Sequence, residues 1–457
     1  MASAAEQLAA NLNFGAFAKA DELKKRIWFT LGALLVYRLG TYIPLPGIDP
    51  NIWDSVFRTQ AGGILGMFNM FAGGGIHRMA IFALNIMPYI SASIIIQLLT
   101  TVSPQLEALK KEGEAGRKML NQYTRYLTVI LAAVQSYGIA VGLEGAGNVV
   151  ADPGLFFRLS TAITLTGGTM FLMWLGEQIT SRGIGNGISL IILSGIVAEL
   201  PSALANMLEL GRQGALSTGL ILIVIVMAVA VIAFIVFMER AQRRLLIQYP
   251  KRQVGNKMFE GQSSHLPLKL NTSGVIPPIF ASSLLLLPTT ISTFSGGQTG
   301  PVMSTILAYF GPGQPLYLLF FTAMIVFFSY FYTQNVAFKS DDVAENLKNQ
   351  GGFIPGIRPG KRTEEYLDYV VNRVLVIGSL YLAAVCMLPE VIRHQLSIPF
   401  YFGGTSVLII VSVTMDTINQ IQSHLLAHQY EALIERSQLR GKRKPGEAKP
   451  KRLPARR

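Results

Sequence analysis

Cysteine and charged residues are both scarce in this sequence. One cysteine, Cys386, occurs among 457 residues, so no intramolecular disulfide can form. Charged residues make up 14% of the chain and hydrophobic residues 51%, whereas soluble domains carry about 25% charged residues. The composition therefore excludes an ordinary soluble domain and predicts a polytopic membrane protein.

Motifs for catalysis and for cofactor binding are also missing. In 356–362 the glycine spacing is one residue short of a Walker loop, and an arginine follows the lysine where Ser or Thr is needed. The glycine cluster at 182–189 has the wrong spacing for a dinucleotide fingerprint and predicts a tight turn that opens a helix, with Asn186 or Ser189 as its cap. His424 and His428 have i, i+4 spacing but lack the glutamate of a zinc-protease motif. No nucleophile is paired with a base, so we expect no enzymatic activity, no cofactor and no metal.

Apolar windows long enough to cross a bilayer recur along the whole chain. There are ten of them, near 27–46, 79–102, 126–143, 156–176, 186–206, 217–238, 273–293, 315–337, 372–390 and 400–421.

The distribution of Lys and Arg gives these spans an orientation. With alternate connections assigned to opposite sides, 32 basic residues fall on the side of the termini and 5 on the other, with Arg38 and Arg373 within or at the edge of spans. The positive-inside rule therefore predicts that both termini are cytoplasmic. Residues 1–26 are expected to form a cytoplasmic amphipathic segment without a cleavable signal peptide. The tail, 422–457, is basic, and beyond Leu439 it is predicted to be disordered.

Ionisable residues inside the predicted spans are few. Arg38, Asp416 near a span end and Glu177 at a helix terminus are the examples. A small-solute transporter is one function open to such a membrane protein, but it needs a polar or charged site at mid-membrane, which the apolar mid-span positions do not supply. An intramembrane enzyme is the other alternative, and it lacks paired catalytic groups.

Three segments outside the spans are unusual. The apolar stretch 62–72 would form a helix of about 16 Å, too short to cross a core of about 30 Å, and a glycine joint, Gly73, Gly74 and Gly75, follows it. The connections 239–271 and 338–370 are longer than the turns of a compact bundle. The first predicts a small β-hairpin, and the second a structured turn that presents Arg358.

Seven long motifs in this sequence resemble those of one family. They are MFNMFAGGG with FALNIMPYISASIIIQLL, SRGIGNGISLII, MERAQRR, SSHLPLKLNTSGVIPPIFAS, NLKNQGGFIPGIRPG and PFYFGGTSVLIIV. Together they are similar to the SecY/Sec61-alpha family of protein-conducting channels, over about residues 20 to 440. The resemblance implies an all-α polytopic membrane protein whose ten transmembrane helices form two inverted pseudo-symmetric halves around an hourglass pore. The halves would be 27–206 and 217–421, joined by a hinge at 207–216.

The resemblance also implies roles for individual residues. Spacing alone puts Ile86 with Ile90, and Ile188 with Ile192, on single helix faces, which is equally typical of lipid-facing or core positions. By resemblance the pore ring is Ile86, Ile90, Ile188, Ile192, Ile279 and Ile409. The plug would be 62–75, with Met67, Phe68, Asn69, Met70, Phe71, Gly73, Gly74 and Gly75. Gln97 and Asn271 match polar positions of a lateral gate.

The resemblance also implies binding partners and substrates. The resemblance implies two small membrane subunits, SecE and SecG, a motor ATPase, SecA, the ribosome, signal sequences and nascent polypeptides as substrates, and anionic phospholipid. Contact with SecA or the ribosome is expected at Arg358, Arg243, Arg244, Lys251 and Arg252, because basic side chains suit rRNA phosphates and acidic surfaces alike. The implied location is the bacterial inner membrane.

Overall fold

A computed structural model describes residues 21–60, 69, 72–145, 149–214, 217–250, 252–254, 257–259, 263–294, 314–396 and 404–441. Within these ranges the chain is mainly helical. The helices of its first part are α1 (Asp21–Gly40), α2 (Pro50–Gln60), α3 (Met87–Val102), α4 (Pro104–Lys111), α5 (Glu114–Gly145), α6 (Leu155–Arg182) and α7 (Gly187–Arg212). Those of the second part are α8 (Thr218–Arg240), α9 (Ile276–Phe294), α10 (Pro315–Tyr332), a π-helical turn (Thr333–Ala337), α11 (Ser340–Asn349), α12 (Lys361–Leu396) and α13 (Gly404–Gly441).

Helix starts follow the local sequence. The Asn186 side chain accepts hydrogen bonds from the amides of Ile188 and Ser189 at 3.1 and 3.3 Å, which confirms the predicted cap of α7. Ser217 caps α8 in the same way, through the amide of Leu220. A proline in the first turn of α3, Pro88, lacks the amide hydrogen that would be unsatisfied there.

All ten predicted windows overlap a helix, but the helices differ in length. Seven helices in the described ranges are long and apolar enough to cross a membrane. An eighth candidate is the pair α3 and α4, which are bent by 99° from each other, and the apolar part of α9 is shorter. The helical membrane class is confirmed, while the number ten stays a prediction.

The predicted span 79–102 is wrong over its first eight residues. The chain forms consecutive tight turns there, with Met79 and Asn85 at positive φ (43° and 48°), and the helix begins at Met87. The backbone of residues 79–86 instead forms hydrogen bonds with the segment after α1. The amide of Leu45 donates to the carbonyl of Met79 at 2.9 Å, and the amide of Ile81 donates to the carbonyl of Ile43 at 3.0 Å. These contacts satisfy backbone groups that a helix would have paired internally.

The helices pack around one main apolar core. α3 contacts α5 and α9, α9 also contacts α5 and α10, and α12 packs against α10 and α13. The core draws residues from α1, α3, α6 to α10, α12 and α13. A smaller cluster joins α2 to the chain around Met79 and to the end of α5.

The two long connections fold together as one unit. Strands β1 (Gln242–Gln248) and β4 (Ser263–Lys269) pair antiparallel from Gln242 opposite Lys269 to Gln248 opposite Ser263, and β2 (Arg252–Val254) pairs with β3 (Lys257–Phe259). The hairpin prediction is therefore confirmed. Gln248 and Phe353 exchange backbone hydrogen bonds of 2.9 and 3.0 Å. Leu245 and Leu268 share a core with Ile354 and Leu367, so we call residues 239–271 and 338–370 the loop unit.

Candidate functional site

The six isoleucines predicted to form a ring lie in one region of the main core. Ile86, Ile90, Ile192 and Ile409 are buried, with exposed fractions of 1, 8, 5 and 0%. Ile188 and Ile279 are partly buried and pack against the same core. The fold thus brings together side chains from four helices and from both halves of the sequence.

Four of these side chains enclose a small cavity. It has a volume of about 10 Å³ and is lined by Asn85, Ile86, Met87, Ile90, Ile192, Ile279 and Ser282. Such a volume is at the lower limit for one water molecule. Ile188 and Ile409 do not line it, although they belong to the surrounding core.

The helix starts explain why these residues converge. Ile86 immediately precedes α3 and Ile90 lies in its first turn, while Ile188 and Ile192 occupy the first two turns of α7. Ile279 lies in the first turn of α9, after Pro277 and Pro278. The helices begin around a common point, and their first turns supply the apolar lining.

The chemistry of this cavity is that of an apolar constriction. Among the described residues that line it, the polar members are Asn85 and Ser282, and none is titratable. The Ser282 hydroxyl already donates to the carbonyl of Ile279 at 2.9 Å. No group of His, Cys, Asp or Glu in the described ranges has the arrangement of a metal site. The site can exclude water and pack against varied side chains, but it has no residues for bond chemistry.

The two predicted gate residues occupy different surroundings. Gln97 lies on α3, where its Nε2 donates to the Ser93 hydroxyl at 3.3 Å and its Oε1 is buried without a partner in the described structure. Asn271 lies five residues before α9, 5% exposed, and its Nδ2 donates to Glu239 Oε1 at 2.7 Å. In the described structure no hydrogen bond joins the two amides, but α3 and α9 pack against each other.

The glycine joint is a packed turn. Gly73 and Gly74 have φ of 61° and 80°, a region that favours glycine. A Cβ on Gly73 would lie 2.8 Å from Gly195 Cα and from the Tyr37 hydroxyl. Arg38 Nη1 donates to the Gly73 carbonyl at 2.6 Å, and the Asn69 carbonyl accepts from the amide of Gly74 at 3.0 Å. Met67, Phe68, Met70 and Phe71 lie outside the described residues, and Gly75 is buried beside the other glycines.

Helix α2 contacts the residues that directly follow the glycine turn, and the sequence analysis did not predict this contact. Trp53 Nε1 donates to the Ile76 carbonyl at 2.8 Å, and His77 Nε2 lies 2.7 Å from Asp54 Oδ1. The signal for α2 was a capping aspartate, Asp49, whose Oδ1 accepts from the amide of Asn51 at 2.9 Å.

Three of the basic residues predicted to contact partners have exposed side chains. Arg243 and Arg244 on β1 are exposed, and so is Arg358 in the turn before α12. The Thr363 hydroxyl donates to the Arg358 carbonyl at 2.9 Å and fixes that turn. Arg252 lies on β2 with its backbone described, and Lys251 lies outside the described residues.

Two of the three ionisable residues named within the spans, Glu177 and Arg38, have hydrogen-bond partners. Glu177 on α6 receives two hydrogen bonds from Arg125 on α5, of 3.0 and 2.7 Å, and Arg38 is engaged at the glycine turn. Glu239 escaped the sequence-based prediction. Its signal was a carboxylate directly after the charge-free run of α8, which has the highest mean hydropathy among the candidate spans of the described structure.

The comparison with known proteins agrees with this geometry. The SecY family model matches residues 80–418, three quarters of the chain. The protein translocase subunit SecY of Escherichia coli strain K12 is 52% identical over 424 residues, covering 92% of this chain and 96% of that protein. The chain belongs to the SecY family.

Other members and solved structures of this family give the same picture. The SecY subunit of Rickettsia bellii is 52% identical over 425 residues, covering 92% of this chain and 98% of that protein. A solved protein-conducting channel superimposes with a TM-score of 0.64 at 19% identity, covering 88% of this chain and 92% of the other. Sec61 in the canine ribosome-channel complex gives 0.62 at 18% identity, with the same coverage. The membership confirms the resemblance seen in the sequence motifs, and the fold is that of these channels.

Proposed function

We propose that this chain is the pore-forming subunit of a bacterial protein translocase. It passes unfolded secretory polypeptides across the inner membrane and releases transmembrane segments sideways into lipid. The observation that carries the proposal is the apolar cavity lined by isoleucines from α3, α7 and α9. The chain carries no phosphate-binding loop, so a partner supplies the energy.

The isoleucine lining suits a pathway for chains of any sequence. Specific hydrogen bonds would favour some substrates over others, whereas apolar side chains can adapt to each residue that passes. When no substrate is present, an apolar constriction stays closed to ions by dewetting. We therefore assign the pore ring to Ile86, Ile90, Ile188, Ile192, Ile279 and Ile409.

The seam between α3 and α9 is the proposed lateral gate. In this structure α9 contacts α3 and α5, and the proposal is that such contacts form the resting seam. Interhelical hydrogen bonds inside membranes are worth roughly 0.6 to 2 kcal/mol, so an apolar signal helix can compete with such a seam. Gln97 and Asn271 are proposed to set the stringency of that competition.

The plug and the two halves are assigned from family membership. Residues 62–75 are proposed as the plug, held at rest through the glycine turn, and 207–216 as the hinge between 27–206 and 217–421. Both termini are proposed to be cytoplasmic, with 1–26 amphipathic and 422–457 basic; the tail suits anionic phospholipid.

The loop unit is the proposed docking surface for partners. Its exposed arginines, Arg243, Arg244 and Arg358, suit both rRNA phosphates and acidic protein surfaces. Arg252 on β2 and its sequence neighbour Lys251 are proposed to contribute as well. Relatives of this fold have been solved with ribosomes, including Sec61 in the canine complex and the yeast Ssh1 complex on the 80S ribosome. The proposed partners here are the ribosome, SecA, SecE and SecG.

Reconstitution tests the function directly. The chain is purified with its small membrane subunits, inserted into vesicles and supplied with SecA, ATP and an unfolded secretory protein. We expect ATP-dependent protection of the substrate from external protease. No protection above the level of empty vesicles, with folded channel present, would refute the proposal.

A further inference from the structure

Asn271 is held in place by its neighbours on three sides. Its Nδ2 donates to Glu239 Oε1 at 2.7 Å and to the Gly274 carbonyl at 3.2 Å, while its Oδ1 accepts from the Ser273 hydroxyl at 3.1 Å. Glu239 is the penultimate residue of α8. The 2.7 Å bond therefore ties the end of α8 to the chain that leads into α9.

The same point closes the base of the hairpin. The amide of Leu270 donates to the carbonyl of Ala241 at 3.0 Å, directly beside the Glu239 contact. On the other side α12 comes so close that a Cβ on Gly378 would lie 2.3 Å from the Leu270 carbonyl oxygen. Leu270 and Asn271 are thus enclosed between α8 and α12.

The Glu239 carboxylate also faces α12 and α13. Tyr381 of α12 and Ser412 of α13 lie near it, with buried hydroxyls that have no hydrogen-bond partner in the described structure, and Lys269 and Asp416 are its charged neighbours. The carboxylate near the end of α8 therefore lies beside α12 and α13 while it bonds to the segment that precedes α9.

The chain turns at Gly274, just after this anchored point. Gly274 has a φ of 63°, and no atom lies within 4 Å of the position that a Cβ would occupy. Helix α9 begins two residues later and carries Ile279 and Ser282 to the cavity. Asn271 is fixed by Glu239 and bonded to the Gly274 carbonyl, and the open space beside that glycine gives this segment the arrangement of a pivot.

We propose that Glu239 is a positioning residue of the gate. It pins Asn271, so that α9 moves away from α3 by turning about Gly274 while the hairpin stays in register with α8 and α12. This inference rests on the proposed function and adds to it the residue that links the docking surface to the gate.

The test compares two substrates in the reconstituted vesicles. One has an intact signal sequence and the other a signal sequence with a shortened apolar core. The measured quantity is the ratio of their translocation rates. A residue with a merely structural role would lower the yield of channel and both rates together, leaving the ratio unchanged.

Four variants separate the possible causes. Glu239→Ala and Glu239→Met remove the acceptor oxygens, the latter with the side-chain length kept. We expect each to raise the relative rate of the defective substrate at least five-fold. Glu239→Gln keeps an acceptor oxygen and should retain the wild-type ratio. Glu209→Ala removes an exposed carboxylate of α7 and serves as the matched control.

The outcomes are distinct. An unchanged ratio in both Glu239→Ala and Glu239→Met, with normal translocation of the intact substrate, would overturn the inference and leave the proposed function standing. A changed ratio in Glu239→Gln as well would also overturn it, because the acceptor would then not be the cause. Absence of translocation by the wild-type channel would instead refute the proposed function.

Discussion

Replacing the ring isoleucines with serine should open the resting channel to ions. The variant carries serine at Ile86, Ile90, Ile188 and Ile192, of which three line the cavity directly. Each change replaces a branched apolar side chain with a short hydroxyl, so the constriction becomes both wider and wettable. Dewetting depends on apolar walls, and it should fail in this variant.

The expected increase in conductance follows from the size of the cavity. The present volume of about 10 Å³ is at the limit for one water molecule. Four substitutions remove roughly eight non-hydrogen atoms, which leaves room for several waters. A continuous water column then becomes possible where there is now an interruption. We expect conductance at least ten-fold above the wild-type level.

Planar bilayers provide the assay. Purified complexes are fused at equal protein amounts, and the current is recorded without substrate. Valine at the same four positions is the matched control, because it shortens each side chain by one carbon and keeps it apolar; its current should stay near the wild-type level. If the serine variant conducts no more than the valine variant, the apolar ring is not what closes the pore.

Four further changes test other parts of the structure. Arg358→Glu reverses an exposed charge and should slow SecA-driven translocation several-fold with unchanged expression; a normal rate would exclude docking there. Asn271→Leu leaves the Glu239 carboxylate without its 2.7 Å donor and should relax discrimination between signal sequences, measured as the ratio of rates for intact and defective signals; an unchanged ratio would remove Asn271 from the gate. Trp53→Phe deletes the donor to the Ile76 carbonyl and should lower the free energy of unfolding in detergent by about 1–3 kcal/mol; an unchanged unfolding midpoint would show that water replaces the bond. Gly378→Ala forces a methyl group towards the Leu270 carbonyl and should cost about 1–3 kcal/mol in the same assay, whereas a neutral effect would mean that α12 can shift.

The sequence predicted the spans because hydropathy reports what lipid requires. Ten windows overlap ten helices, and the Asn186 cap of α7 was predictable from the glycine turn before it. The β-hairpin was predictable too, because β-branched and aromatic runs between turn residues leave few other structures. These features depend on residues close together in the sequence.

Features that depend on distant contacts were not predictable. The late start of α3 depends on backbone bonds to Ile43 and Leu45, more than thirty residues away. Hydropathy cannot register such bonds, since residues 79–86 are as apolar as a span. The glycine turn looked like a free joint until Gly195, Tyr37 and Arg38 proved to enclose it.

The candidate site could not be predicted from residue spacing alone. Paired isoleucines at i, i+4 occur on any apolar helix, and spacing alone did not distinguish ring positions from core positions. The family motifs selected six of them, and the fold placed four around one cavity. Glu239 was missed because it stands at a span end, where a carboxylate is ordinary; its partner, Asn271, lies 32 residues away.

Crosslinking from inside the ring tests the central claim most directly. A photoreactive residue is placed at Ile188 or Ile409, and at Ile163, which is exposed on α6, as control. A secretory chain is then stalled during translocation. The account predicts crosslinks from Ile188 and Ile409 to the stalled chain and none from Ile163. Equal crosslinking from all three positions, or none from the ring positions, would contradict a pathway through the isoleucine cluster.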